Sequence, residues 1–240
     1  MEPTKVNELI AYFNEHANEA ACLIFLGRDR GLQQEWLERM EEVERTLDVA
    51  RSDAAAERDE RAANFLLGLQ CAARALASEL KVYLLLKDDR PEAAWDALID
   101  TQDALAGALR AGPEFAHLEP QAQRARELED YLFPPQMFLS AGLIVHKQVC
   151  TICGQDYTEC DHIAGMPYCG EFYAVQLTEA EADHVAIVEE PANRRCRLTA
   201  FSVTGGTRNR MTWVVTPGEP KRPPEAGDGK LVEGILDTAR

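Results

Sequence analysis

A chain of 240 residues with a formal net charge of −16 is long enough for one large or two modest domains, and over most of its surface it repels phosphate. Its 46% hydrophobic and 28% charged residues are those of a globular protein, and no apolar run approaches the ~20 residues that span a bilayer. Seven cysteines, an odd number with several gathered late in the chain, argue against a disulfide framework. Together with an N-terminus that lacks the basic start and apolar core of a signal peptide, they point to a reducing cytoplasm and to no membrane partner.

The first half reads as helix. From Lys5 to about Leu26, Val6, Leu9, Ile10, Phe13, Ala17, Ala20, Ala21 and Ile24 recur at three- and four-residue steps, which is one buried face. Gly27 and Gly31 interrupt it. A second helix runs from about Leu32 to Val49, and its Glu- and Arg-rich remainder reads as a solvated face. Ser52-Asp53 is placed to cap a third helix ending near Lys87. That helix is apolar nearly all round at Phe65–Leu69 and Val82–Leu86, so it is expected at the centre of the core. Pro91 opens a fourth helix that Gly112-Pro113 closes, and a fifth spans about Pro120 to Leu132. The pair 65–87 and 91–111 has the form of a helical hairpin, but no second copy occurs and a repeat array is rejected. His16 and His117 stand alone, and Cys22 and Cys71 sit on apolar faces, which suits packing better than chemistry.

After Pro134-Pro135 the character changes. Phe138–Val145, Phe172–Leu177, His184–Val188, Cys196–Val203 and Met211–Thr216 are rich in β-branched and aromatic residues and read as strands, with Gly205-Gly206 as a hairpin turn. The predicted class is α+β: an all-α helical bundle over residues 1–135 and a small zinc-stabilised β domain over 136–217. Residues 218–240 are read as linker and tail, in which Leu231, Ile235 and Leu236 belong to a short helix or a frayed end.

Between the first two strands lies the stretch with the clearest chemistry. Cys150, Cys153, Cys160 and His162 follow the pattern C-x2-C-x6-C-x-H, four soft donors in one short loop. That is the donor set of a closed tetrahedral zinc site, with Gly154 permitting the tight turn of the Cys-x2-Cys arm. A redox dithiol is disfavoured because Gly154–Tyr157 does not open a helix that would lower a thiol pKa. Cys169 is an alternative fourth ligand and His146 a weaker one. Arg194, Arg195, Arg197, Arg208 and Arg210 fall in a segment without acidic residues. They are read either as a weak, salt-sensitive nucleic-acid patch or as a contact to the acidic helical part.

The stretch from Cys150 to Tyr168, with Gly165, resembles a Cys/His module of phage-related bacterial proteins, among them some tailed-phage head-maturation proteases. Val185–Val188 with Pro191-Ala-Asn193 is similar to the strand and turn that follow it there. This resemblance covers about 50 residues and implies a phage-linked setting, without a Ser/His pair to carry protease activity. Asp161-His162-Ile163 after a Cys-x2-Cys-Gly also resembles the start of an HNH nuclease, in which the histidine is the general base. Asn193 could stand for that family's asparagine, but no histidine follows it, and no second Cys-x2-Cys occurs. The sequence therefore leads to a non-enzymatic zinc-binding adaptor, a subunit of a bacterial phage- or defence-related assembly that meets protein partners through its helices. A nucleic-acid-binding or HNH-like protein is the alternative.

Overall fold

A computed structural model describes residues 1–218 and 232–236. The expected linker at 219–229 and Leu231 lie outside the described residues. Within them the chain is α+β, a five-helix bundle followed by small β-sheets. It divides into two compact units: Met1–Glu129 with Gln148–Gln176, and Asp130–Lys147 with the described residues from Leu177 onward.

In the first unit α1 (Pro3–Leu23), α2 (Arg30–Ala56), α3 (Glu60–Lys87) and α4 (Pro91–Ala111) follow one another through short turns. A 3₁₀ stretch, Pro113–Leu118, then leads into α5 (Glu119–Leu132). Each start has a local cause. Pro3 and Pro91 occupy first turns, where a missing N–H costs nothing. Asp29 accepts from the amide of Leu32 at 2.9 Å, and Asp59 accepts from that of Ala62 at 3.1 Å.

The boundary between α2 and α3 differs from the one Ser52-Asp53 suggested. The Ser52 hydroxyl instead bonds back to the carbonyl of Asp48, so α2 continues through Ala54–Ala56. It stops where Arg58 takes a φ of 59°, and Asp59 starts α3. As its sequence led us to expect, α3 is the central helix: Leu66, Leu69, Ala73, Leu80 and Leu84 are buried on successive faces between α2 and α4. At one end of the bundle the buried Gln33 ties three elements together. Its amide donates to the carbonyls of Leu23 and Phe25, and its oxygen accepts from Lys87 at 2.6 Å. Both the nitrogen and the oxygen of the Gln33 amide are thereby satisfied.

Gly68 on α3 is required by packing. A methyl there would stand 2.1 Å from Cε2 of Phe115, a ring that is itself buried. Gly68→Ala would gain about 1 kcal/mol in helix propensity, but overpacking of this kind costs about 1–3 kcal/mol. We expect a lower melting temperature despite the better helix former. A rise would mean that Phe115 shifts freely.

The second unit holds the outer part of β1 (Phe138–Cys150) paired with β4 (Val175–Val188). It also holds an antiparallel sheet ordered β7-β6-β5-β8, from β5 (Leu198–Val203), β6 (Gly206–Asn209), β7 (Val215–Pro217) and β8 (Val232–Gly234). Val203 pairs with Gly206, so the hairpin turns at Thr204-Gly205, with Gly205 at φ 87°. A Cβ on Gly206 would lie 2.1 Å from the carbonyl oxygen of Thr216 on the neighbouring strand. Phe138, Cys196, Leu198, Ala200 and Met211 are among its few buried side chains.

Two strand expectations and one for the tail are corrected here. The two strands expected at 172–177 and 184–188 do not stand apart, because β4 is continuous from Val175. Thr178, Ala180 and Ala182 alternate with Glu179, Glu181 and Asp183 between them, which is the period of a strand written in helix-favouring residues. Met211 and Thr212 belong to a turn, since the Asn209 side-chain oxygen accepts from both of their amides and Trp213 takes a φ of 60°. Residues 232–234, expected as helix or frayed end, instead pair as edge strand β8 with β5.

Candidate metal centre

β1 delivers Cys150 into a tight loop. The Cys150 amide donates to the carbonyl of Gln155, and the Gly154 amide donates back to the carbonyl of Cys150, both at 2.9 Å. Gly154 takes a φ of 70°, with open space where a Cβ would sit. The amides of Ile152 and Cys153 both point at the Cys150 sulfur at 3.3 Å, and that of His162 points at the Cys160 sulfur at 3.3 Å. Asp156 caps the turn that follows by accepting from the amide of Thr158 at 2.9 Å.

This backbone brings one atom from each of Cys150, Cys153, Cys160 and His162 within 4.8 Å of one another. The Cys153 and Cys160 sulfurs are 3.5 Å apart, and His162 Nδ1 lies 3.0 Å from the Cys160 sulfur and 3.7 Å from that of Cys150. Four donors about a tetrahedral ion with bonds of about 2.3 Å to sulfur and 2.0–2.1 Å to nitrogen stand roughly 3.6–3.8 Å apart. The group is that size, and it can hold a metal ion.

Its electrostatics fit a cation too. Burial opposes ionisation of Cys150, but the amides of Cys153 and Ile152 together with hydrogen bonds from the Cys153 and Cys160 side chains outweigh it and hold the thiol down at about 7. Burial pushes the Cys160 thiol up to about 11, and the adjacent Cys150 and Cys153 add to the shift. One thiolate is favoured and a second beside it is not, a conflict that a bound cation removes. His162 is held edge-on to the Tyr168 ring at 4.5 Å between centroids, and the Tyr168 hydroxyl accepts from the amide of Ile163.

Cys169, the alternative ligand, is outside this group. It sits with Gly170 in the two-residue turn between β2 (Pro167–Tyr168) and β3 (Glu171–Phe172), at φ values of 48° and 85°. Two consecutive positive φ values make this a tight hairpin turn of the kind that matches strand twist. The Cys169 sulfur faces the carbonyl of Ala55 at 3.8 Å. His146 is placed against Glu181, at 3.8 Å.

The turn also anchors the loop to the helices. Asn64 on α3 accepts from the Gly170 amide at 2.7 Å, and Arg51 on α2 donates to the Gly170 carbonyl at 2.7 Å while paired with Asp48. Phe172 lies against Gly107 on α4, with the Arg110 guanidinium 5.3 Å above its ring. Sequence reasoning missed Arg51, Asn64 and Gly107. Asn64 was the available signal, a polar residue inside the apolar stretch of α3. Removing its side chain leaves the Gly170 amide without its partner, a cost of about 1–3 kcal/mol. Asn64→Ala should therefore speed amide exchange at residues 167–172 while α3 stays protected. Unchanged exchange at Gly170 would deny the anchor.

The five arginines do not present themselves as one exposed patch. Arg197 is buried, with Nη1 3.2 Å from the carbonyl of Arg195. Arg194 lies over Phe138 and Arg208 over Trp213, while Arg210 donates to the carbonyl of Pro135 at 2.9 Å. Among the described residues no helix is long and apolar enough to cross a membrane. No family model, curated protein or solved structure matches the chain.

Proposed function

We propose that this protein is a non-enzymatic adaptor whose Cys/His loop is held together by a structural zinc ion. The observation that carries the reading is the closure of the donor set. Three cysteines and one histidine supply all four positions of a tetrahedral ion, whereas a catalytic zinc keeps one position for water or substrate. Three thiol-bearing donors favour zinc over the harder magnesium or calcium, which take oxygen ligands. Cys150, Cys153, Cys160 and His162 would hold the ion, and its role there is to fix the loop.

Exposed apolar side chains supply the adaptor half of the reading. Phe25 is 64% exposed in the turn after α1, beside the exposed Leu26 and Leu32, and Ile163 is 65% exposed on the metal loop. Such side chains cost nothing to cover with a partner and favour association when covered. We read the partner as part of a bacterial phage- or defence-related assembly, a reading that rests on the resemblance of the loop to the phage-related module.

Metal analysis of purified protein should return about one zinc per chain. Co-purification from the native host, compared with a Phe25→Asp, Leu32→Asp double variant, should recover a defined protein partner that the variant loses. Cleavage of DNA or RNA that needs a divalent metal and disappears in His162→Ala, with zinc and fold retained, would overturn the adaptor reading in favour of an HNH-like one.

A further inference from the structure

We propose that the metal loop is itself a docking surface, and that its occupant is a basic, amphipathic segment of a partner protein. This deepens the adaptor reading and rests on it, since the metal is what holds the loop in shape. Tyr157, Ile163 and Met166 are 41%, 65% and 46% exposed on this one loop. Apolar side chains scattered singly over a surface are ordinary. Here the fold holds two of them at the ends of a single turn. The Met166 amide donates to the Ile163 carbonyl at 3.1 Å, and Gly165 takes the positive φ, 80°, that such a turn requires. Ile163 also follows the ligand His162 directly, and its amide donates to the Tyr168 hydroxyl at 2.9 Å. A patch fixed in this way loses little freedom when it is covered.

The charge around these side chains selects the partner. Residues 148–176 carry Asp156, Glu159, Asp161 and Glu171, all exposed, and no lysine or arginine. A zinc ion held by three thiolates and a neutral imidazole is net negative as well. Arg51 and Arg110, which reach the loop from the helices, are engaged: Arg51 with Asp48 and the Gly170 carbonyl, Arg110 over the Phe172 ring. Phosphate is repelled, so nucleic acid and an anionic membrane are poor occupants. A second copy would bring the same carboxylates face to face across a two-fold axis. A segment bearing lysine or arginine among apolar side chains meets both the charge and the apolar patch, and the −16 net charge of the chain draws it in.

The place of the loop on the bundle suits an adaptor. Its anchor is Asn64, near the start of α3. The exposed Phe25 and Leu32 belong to the other end, where Lys87 donates to the carbonyl of Arg28 and to Gln33. Asn64 and Lys87 stand about 35 Å apart along α3, at about 1.5 Å per residue. Apolar surfaces tied to opposite ends of one helix let a single chain hold two partners at once.

Three peptides of equal length, built from lysine and leucine, lysine and serine, and glutamate and leucine, test this on the zinc-loaded full-length protein by calorimetry and methyl NMR. The lysine–leucine peptide should bind saturably, at least tenfold tighter than either of the others, with the largest shifts at the methyls of Ile163 and Met166. The Ile163→Ser, Met166→Ser double variant should keep its zinc, because both side chains are exposed, and bind that peptide at least tenfold more weakly. The proposal is overturned if the largest shifts lie away from the loop, if either control peptide binds as tightly, or if the double variant binds undiminished. It is equally overturned if a single-stranded oligonucleotide, or raising the protein's own concentration, shifts the Ile163 and Met166 methyls without any peptide. Zinc measured in the same sample separates the two readings. Zinc present without peptide binding overturns the docking surface alone, whereas a protein that takes up no zinc overturns the metal-held loop and the docking surface with it.

Discussion

Cys153→Ser should lose the metal and release residues 148–176, with α1–α4 and the β5–β6–β7 sheet left folded. Cys153 is the exposed donor of the four, so its replacement opens no cavity and the effect reports the lost ligand alone. The loop has little else to hold it. Tyr173 is its one large buried side chain, and most of the span from Thr151 to Met166 is exposed. Its ties to the helices include the Asn64 and Arg51 bonds to Gly170 and the packing of Phe172, each worth about 1–2 kcal/mol. A structural zinc supplies on the order of 10 kcal/mol to such a segment. Hydrogen exchange should therefore show protection collapsing from Gln148 to about Gln176, while the α3 amides exchange as in the wild type. The sheet contains none of the four donors and keeps its own ladder. Retention of stoichiometric zinc by Cys153→Ser, or undisturbed protection of the loop, would refute the proposed ligand set.

What could be read from the sequence follows from how local each signal is. The helices carry their pattern over twenty or more residues, so α1, α3 and α4 were recognisable from periodicity, and their capping or first-turn residues fixed most starts. The α2–α3 boundary was not, because Ser52-Asp53 and Asp59 are equally good caps by composition. Only the carbonyl that Ser52 finds inside the helix separates them. The Cys/His group was legible because its chemistry is carried within thirteen residues, where spacing alone brings the donors together. Its anchorage was not. Asn64 and Gly170 lie 106 residues apart, and nothing in either local pattern names the other. β4 and β8 failed for a further reason: Glu- and Ala-rich strands and three-residue edge strands draw their stability from pairing rather than from propensity. Glu79 sits on α3 four residues before Tyr83 and looks like an ordinary solvated position, yet the meeting of α1, α3 and α5 buries it.

That burial leads to the second large effect, which is that Glu79→Gln should stabilise the protein above neutral pH. The folded chain holds the Glu79 carboxyl at about 7 against an ordinary 4.5, chiefly because burial penalises the charge, with Arg124 only partly offsetting it. A carboxyl whose pKa is raised on folding binds its proton more tightly in the folded state. Its favourable contribution is complete below about 4.5, is lost as pH rises to about 7, and stays lost above. A shift of this size corresponds to on the order of 3 kcal/mol. Glutamine has the shape and hydrogen-bonding of the protonated acid and cannot ionise, so the variant should match the wild type near pH 4.5 and exceed it at pH 8. At about 2–4 °C per kcal/mol for a chain of this length, the gap in melting temperature should open between those pH values and then stop growing. The Arg124 side chain is 46% exposed, which screens its pairing with Glu79 and keeps the loss of that pair from reversing the sign. If Glu79→Gln is instead less stable than the wild type at pH 8, the ion pair outweighs the burial penalty. A difference that does not vary between pH 4.5 and 8 would mean that Glu79 does not titrate there.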